Sequence, residues 1–164
     1  MPAAPVGRLL ASIVEEARQL SGGRHVFECD IDDTLGMRGD AAELVSALSN
    51  LIFNAVRYSP GGGQIEVGWR SVSSGALFEV RDHGVGIEPQ HLDRLTERFY
   101  RVDIGRARAD GGTGLGLAIV KHVLRRHRSA LRIESTIGVG SRFWCVFPED
   151  LAAHRAPPEN VMES

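Results

Sequence analysis

The stretch ALFEVRDHGVGI, residues 76–87, alternates side chains as a strand does, and Ala76, Phe78, Val80 and Asp82 fall on one face. Asp82 therefore prolongs an apolar face with a carboxylate. Burying an acid is costly unless something satisfies it. A ligand amine would do so, and so would the backbone of an Asx turn at the strand end. Gly84 and Gly86 follow at once, allowing close backbone approach or unusual dihedrals.

Immediately upstream, QIEVGWRSV (64–72) reads as a second strand, and the turn residues SSG between the two make a hairpin or meander. Before it lies AAELVSALSNLIFNAVRY (41–58), with Asp40 placed to cap a helix that runs to about Val56. Leu44, Leu48, Leu51, Ile52 and Ala55 gather on one side at helical spacing and read as core. Glu43, Ala47, Asn50, Asn54 and Arg57 lie opposite. Asparagine is a poor helix-interior residue, so a pair one turn apart beside a guanidinium suggests ligands. An amide oxygen is a hard donor suited to Mg²⁺, and Arg57 could meet phosphate oxygens. An ordinary solvated helix face is the alternative.

Downstream, the chain loses strong periodicity between Gly84 and Gly112, apart from a short helix at PQHLDRLTERF. Long polar connections inside a compact domain are usually functional or mobile. DGGTGLGLAIVK (110–121) then sets four glycines before an apolar helical run. Such a loop can cradle phosphate on converging N–H groups at a helix N-terminus, or can simply turn and cap. Leu117, Ile119, Val120, Val123 and Leu124 of that run read as core. Two more strands, ALRIEST and SRFWCVF, are joined by IGVG.

At the other end, GRLLASIVEEARQLS is an amphipathic helix with Leu9, Leu10, Ile13, Val14, Ala17 and Leu20 on its apolar stripe, closed by Gly22 and Gly23. A strand HVFECD and a turn-rich IDDTLG follow. The tail PEDLAAHRAPPENVMES reads as frayed.

At 164 residues the chain holds one good core. Its net charge of −2 gives no general pull toward nucleic acid, so any anion site must be local. No run approaches the roughly 18 apolar residues of a membrane helix. The start lacks the basic-then-apolar layout of a signal peptide. The chain thus reads as a cytoplasmic domain. Cys29 and Cys145 alternate with apolar neighbours and read as buried thiols rather than a disulfide or metal site. No G-x-x-x-x-G-K-[ST] occurs, and the glycine-rich loop follows an irregular segment rather than a strand, which disfavours P-loop and dinucleotide folds.

Taken in order, these motifs resemble the catalytic and ATP-binding domain of sensor histidine kinases, within the superfamily that also holds gyrase, Hsp90 and MutL. NLIFNAVRYSP looks like the N box, DHGVGI the G1 box, ERFYRVD the F box and GGTGLGL the G2 box. The wider texture is most similar to the phosphate-regulon sensors.

The resemblance implies an α/β sandwich, the Bergerat ATP-binding fold: a mixed, mainly antiparallel sheet of about five strands covered on one face by three helices. The domain would span 1–150, with an ATP lid over about 88–111 and a flexible tail at 151–164. The implied ligands are ATP and Mg²⁺. Asn54 would coordinate Mg²⁺ with Asn50 beside it, and Arg57 and Tyr58 would hold the nucleotide. Asp82 would accept from the adenine amine, while Gly84, Gly86 and Ile87 shape the adenine pocket. Phe99 would anchor the lid, Arg101 reach the phosphates, and Gly112, Thr113, Gly114, Leu115, Gly116 and Leu117 wrap the triphosphate. Asn50 and Arg101 are the catalytic candidates.

One position departs from the pattern: His83 stands in the G1 box where relatives more often carry Asn or a small residue. The family's phospho-acceptor sits in a His-Glu or His-Asp context on a separate dimerisation hairpin. The six histidines here are followed by Val26, Gly84, Leu92, Val123, Arg128 and Arg155, none of them acidic. The implied partners are therefore a histidine-bearing dimerisation domain and a response regulator, in a full-length protein seated in the cell membrane. Three alternatives stand beside this reading. Gyrase-type ATPases and anti-sigma-type kinases carry a glutamate one turn before the metal-binding asparagine, where this chain has Asn50. A nucleotide-binding regulatory module without turnover is the third.

Overall fold

The computed structural model describes residues 3–97 and 116–154. The first helix, α1 (Val6–Ser21), follows a two-residue strand β1 (Ala3–Ala4) and buries Leu10, Ile13, Val14 and Ala17. It ends where Gly22 takes a left-handed φ of 63° and returns its N–H to Arg18 and Gln19 carbonyls. Leu20, placed on the apolar stripe by spacing, is 58% exposed in the last turn of the helix. Strands β2 (His25–Ile31) and β3 (Leu35–Arg38) follow, and the Asp32 carboxylate accepts from Thr34 N and Oγ1 to make the turn between them.

The long helix α2 (Ala41–Tyr58) starts at Asp40, whose carboxylate accepts from Glu43 N at 3.1 Å. Two strands, β4 (Gly63–Val72) and β5 (Gly75–Asp82), form the expected hairpin, pairing Ile65 with Asp82 at one end and Val72 with Gly75 at the other. A short turn of helix, α3 (Pro89–Leu92), precedes the undescribed segment. The last elements are α4 (Gly116–Arg126), β6 (Arg132–Thr136), β7 (Gly140–Pro148) and β8 (Ala152–His154).

The principal sheet runs β2-β4-β5-β7-β6, with β2 parallel to β4 through the α2 crossover and every other pair antiparallel. This is the mixed, mainly antiparallel five-stranded sheet expected, with α1, α2 and α4 on one face. Its inner face carries Phe27, Ile65, Val67, Trp69, Phe78, Val80, Phe143, Cys145 and Phe147, all buried. The Trp69 indole donates to Leu35 O at 2.7 Å, so its one polar atom is satisfied within the core.

Four sequence readings are corrected. A second sheet, β1-β3-β8, pairs both chain ends of the described region; the tail at Ala152–His154 is therefore a strand rather than frayed, while 155–164 lies outside the described residues. Leu35–Arg38 is likewise a strand, not turn. Cys29 is exposed: alternation gave its face correctly, but β2 is an edge strand that the helices do not fully cover. Ile119 is 41% exposed rather than core, on the flank of α4 turned from α2. Among the described residues no helix is long and apolar enough to cross a membrane.

Candidate functional site

Asp82 is the last residue of β5, its side chain on the inner face and 2% exposed. One carboxylate oxygen, Oδ1, accepts from Gly84 N at 2.9 Å, the Asx turn foreseen as the bland alternative. The other, Oδ2, is buried without a hydrogen-bond partner, and it is the only buried side-chain polar atom so placed among the described residues. Burial raises this carboxyl from an ordinary 3.8 to about 6, against the pull of backbone N–H groups at Gly84 and Ser141 and of the nearby His83. Native structures rarely leave a buried acceptor orphaned, so the atom calls for a ligand donor.

The loop after Asp82 is fixed by its neighbours. At Gly84 an added Cβ would lie 2.0 Å from Tyr58 O, so any side chain would collide with the end of α2. Gly86 combines a φ of 79° with a would-be Cβ 2.3 Å from Thr136 O. Val85 N donates to Tyr58 O at 3.1 Å and Gly138 N donates to Val85 O at 3.0 Å, so the loop is held between α2 and the β6–β7 turn. Ile87 is 1% exposed, forming an apolar wall. The Tyr58 ring is buried and stacked on Phe143 at 6.2 Å; what Tyr58 offers the loop is its carbonyl.

Asn54 is buried and Asn50 is half-buried against the start of α4. Ala47 is 0% and Asn54 5% exposed, so the face read as polar and solvated is partly roofed by α4, a contact no helical wheel reveals. Asn54 Oδ1 accepts from Arg57 Nη1 at 2.6 Å, which turns the amide oxygen toward a cation. Asn50 Nδ2 donates to Ser46 O at 2.7 Å. A Cβ on Gly116 would come within 2.6 Å of Asn50 Oδ1, so the helix that follows the glycine-rich run starts directly over the asparagine pair. Leu117, next in line, is buried beneath it. Phe99, Arg101, Gly112, Thr113, Gly114 and Leu115, and the lid from 98 to 111, lie outside the described residues.

The departure at position 83 is explained by the pleat. His83 follows the inward Asp82, so its ring points to the outer face, where Nε2 lies 3.1 Å from Glu66 Oε2. Residues that sequence reasoning passed over are Ser135 and Ser141, whose hydroxyls lie 2.8 Å apart beside Asp82; only strand register could have revealed them.

An inward carboxylate with a free oxygen, a glycine loop closed over it, and two amides beneath a helix N-terminus define a nucleotide-binding fold of the kinase and gyrase superfamily. The chain belongs to the family of histidine kinase-, DNA gyrase B- and HSP90-like ATPases, whose sequence profile matches residues 39–151. Among individual proteins, it is 53% identical over 157 residues to the phosphate regulon sensor protein PhoR of Pseudomonas aeruginosa, covering 94% of this chain and 35% of that one. The PhoR of Haemophilus influenzae is 43% identical over 141 residues, covering 86% and 33% respectively. The chain thus spans about a third of the length of these curated relatives. In structure it is similar to the mycobacterial sensor histidine kinase MprB, at a TM-score of 0.78 and 29% identity over 90% of this chain and 97% of that one. Full-length ShkA in complex with AMPPNP matches at a TM-score of 0.76 and 25% identity, over 96% of this chain and 33% of that one.

Proposed function

We propose that this chain is the catalytic, ATP-binding part of a two-component sensor histidine kinase, serving phosphate-starvation signalling, and that it hands the γ-phosphoryl group of Mg-ATP to a histidine on a separate dimerisation domain. The single observation that carries the nucleotide assignment is Asp82 Oδ2, a buried acceptor with no protein donor. Adenine presents an exocyclic N–H donor of the right kind. The loop of Gly84, Gly86 and Ile87 is packed against α2 and the β6–β7 turn beside it, which fixes its position next to Asp82, and the AMPPNP complex of a relative with this fold supports a nucleotide here.

At the phosphate end, Asn54 would hold Mg²⁺ through an amide oxygen that already faces a cation, with Asn50 beside it. A Mg²⁺ held there would supply charge neutralisation for the phosphates. Arg57, freed from Asn54, would turn its guanidinium to phosphate, while Gly116 and Leu117 place the N-terminus of α4 above the asparagines. By family motif, Phe99, Arg101 and Gly112 to Leu115, which lie outside the described residues, would belong to the lid and the triphosphate loop.

The transfer itself joins an imidazole nitrogen of the acceptor histidine to the γ-phosphorus and breaks its bond to the bridging oxygen, releasing ADP. A neutral imidazole brings its own lone pair, so the reaction relies on positioning and electrostatics rather than on a base. Asn50, where the ATPases of the superfamily carry glutamate, suits that requirement and offers water no base. The remaining partner would be a response regulator that takes the phosphoryl group onward.

The test mixes this chain with Mg-ATP and a separately produced dimerisation hairpin from a matching kinase. Acid-labile phosphohistidine on the hairpin is expected. Tight ATP binding with no phosphohistidine would leave a regulatory nucleotide-binding module instead.

A further inference from the structure

Asp82 has two serine hydroxyls close by that do not bond its free oxygen. Register places Ser141 of β7 directly opposite Asp82, and Ser135 of β6 directly opposite Ser141. The three side chains form a row on the inner face at the end of the apolar rows. Directly opposed residues bring their Cβ atoms to about 5 Å, a reach a hydroxyl and a carboxylate can bridge. Ser141, 3% exposed, nevertheless bonds Ser135 Oγ at 2.8 Å, and Asp82 Oδ2 stays unpaired.

The reason lies in the capacity of the Ser135 hydroxyl. Its oxygen accepts from Ile87 N at 2.7 Å, and it reaches Gly140 O at 3.2 Å. One hydroxyl has a single proton and two lone pairs. With the proton on Gly140 O and one lone pair on the Ile87 N–H, the second lone pair takes the Ser141 proton. That proton is then no longer available to Asp82.

We propose that Ser135 is a positioning residue of the adenine site: its hydroxyl draws the Ser141 O–H away from Asp82 and so reserves Oδ2 for an N–H donor on the bound base. The same oxygen pins the Ile87 amide, which closes the pocket wall. A serine proton on Oδ2 would take one of its lone pairs and draw on its charge, so the same oxygen would hold a ligand N–H more weakly. The inference rests on the adenine reading of Asp82 given above.

Calorimetric titration with ATP and with ITP, which lacks the exocyclic amine, separates the possibilities. In Ser135→Ala the released Ser141 hydroxyl turns to Asp82, and ATP binding weakens by about tenfold, the worth of one competing charge-assisted hydrogen bond. ITP binding changes less. Ser135→Thr keeps the hydroxyl and keeps ATP affinity. The decisive variant is Ser135→Ala with Ser141→Ala: removing the competitor returns ATP affinity to within roughly threefold of the wild type, a non-additive result. A double variant that binds ATP no better than Ser135→Ala would reduce Ser135 to a packing role and overturn the proposal. So would wild-type affinity in Ser135→Ala. Failure of the adenine reading looks different: the unmodified protein would itself bind ATP and ITP alike, and the serine proposal would fall with it.

Discussion

Two carboxylates on β5, three residues apart, occupy opposite faces of one strand and have opposite fates. Glu79 points outward. Burial on its own would raise its carboxyl, but hydrogen bonds and charge from Arg142 at 2.8 Å and Arg70 at 2.9 Å bring it below the ordinary value. Arg142 also stacks its guanidinium 4.0 Å over Trp144. Asp82 points inward, has backbone N–H groups at Gly84 and Ser141 beside it but no arginine partner among the described residues, and burial raises it to about 6. The outer charge is matched within the fold. The inner one is left unmatched, at a cost in stability, and becomes useful only when something outside the chain supplies a donor.

The sharpest way to break this contrast is Asp82→Asn. ATP binding should fall by about a hundredfold, as expected when a charged acceptor is lost from a buried hydrogen bond. ITP should suffer far less, and calorimetry with both nucleotides checks this; equal losses would contradict the adenine role. The same variant should be more stable than the wild type at pH 8. The folded carboxyl titrates near 6, above its ordinary 3.8, so its favourable protonated form is fully present below 3.8 and lost as pH rises through 6. Asparagine escapes that loss, gaining about 2 kcal/mol at pH 8 and nothing near pH 3.5, read by denaturant titration at the two pH values.

Next in size comes Gly84→Ala. With a Cβ 2.0 Å from Tyr58 O, the loop and the end of α2 must separate. The expected loss is about 1–3 kcal/mol in thermal unfolding, together with weakened nucleotide binding. Asn54→Asp should leave ATP binding measurable but move its Mg²⁺ dependence to lower metal concentration, because a carboxylate is a stronger ligand than an amide. An unchanged Mg²⁺ titration would count against metal coordination at this residue. Glu79→Gln should matter least: about 1 kcal/mol of stability, with ATP affinity untouched. What that pair contributes is present at neutral pH and lost as pH falls through the lowered carboxyl pKa, so acid unfolding of the two proteins should converge.

Much of this was legible in the sequence because it is local. Alternation located Asp82 and put it on the apolar face; the capping Asp40 marked the start of α2; and the glycines of the G1 loop announced a close approach that Tyr58 O now accounts for. What escaped depends on partners distant in sequence. Strands β3 and β8, four and three residues long, are too short for a periodic signal and exist because β3 pairs with β1 on one side and β8 on the other. A helical wheel put Ala47 and Asn54 on a solvated face, since it contains no information about α4. Cys29 shares a face with Phe27, yet only the strand order shows that β2 is an edge. The row Asp82–Ser141–Ser135 spans three strands, so it came into view only with the register.

Asp82 Oδ2 is held without a protein donor, and the proposed nucleotide supplies one. Following the carbon-13 shift of its carboxyl through a pH titration, without and with ATP, reads that state directly. A midpoint near 6 is expected in the free protein, with a clear downward move on ATP binding as the amine of the base favours the charged form. A midpoint at the ordinary 3.8 in the free protein, or one that ATP does not move, would contradict that expectation.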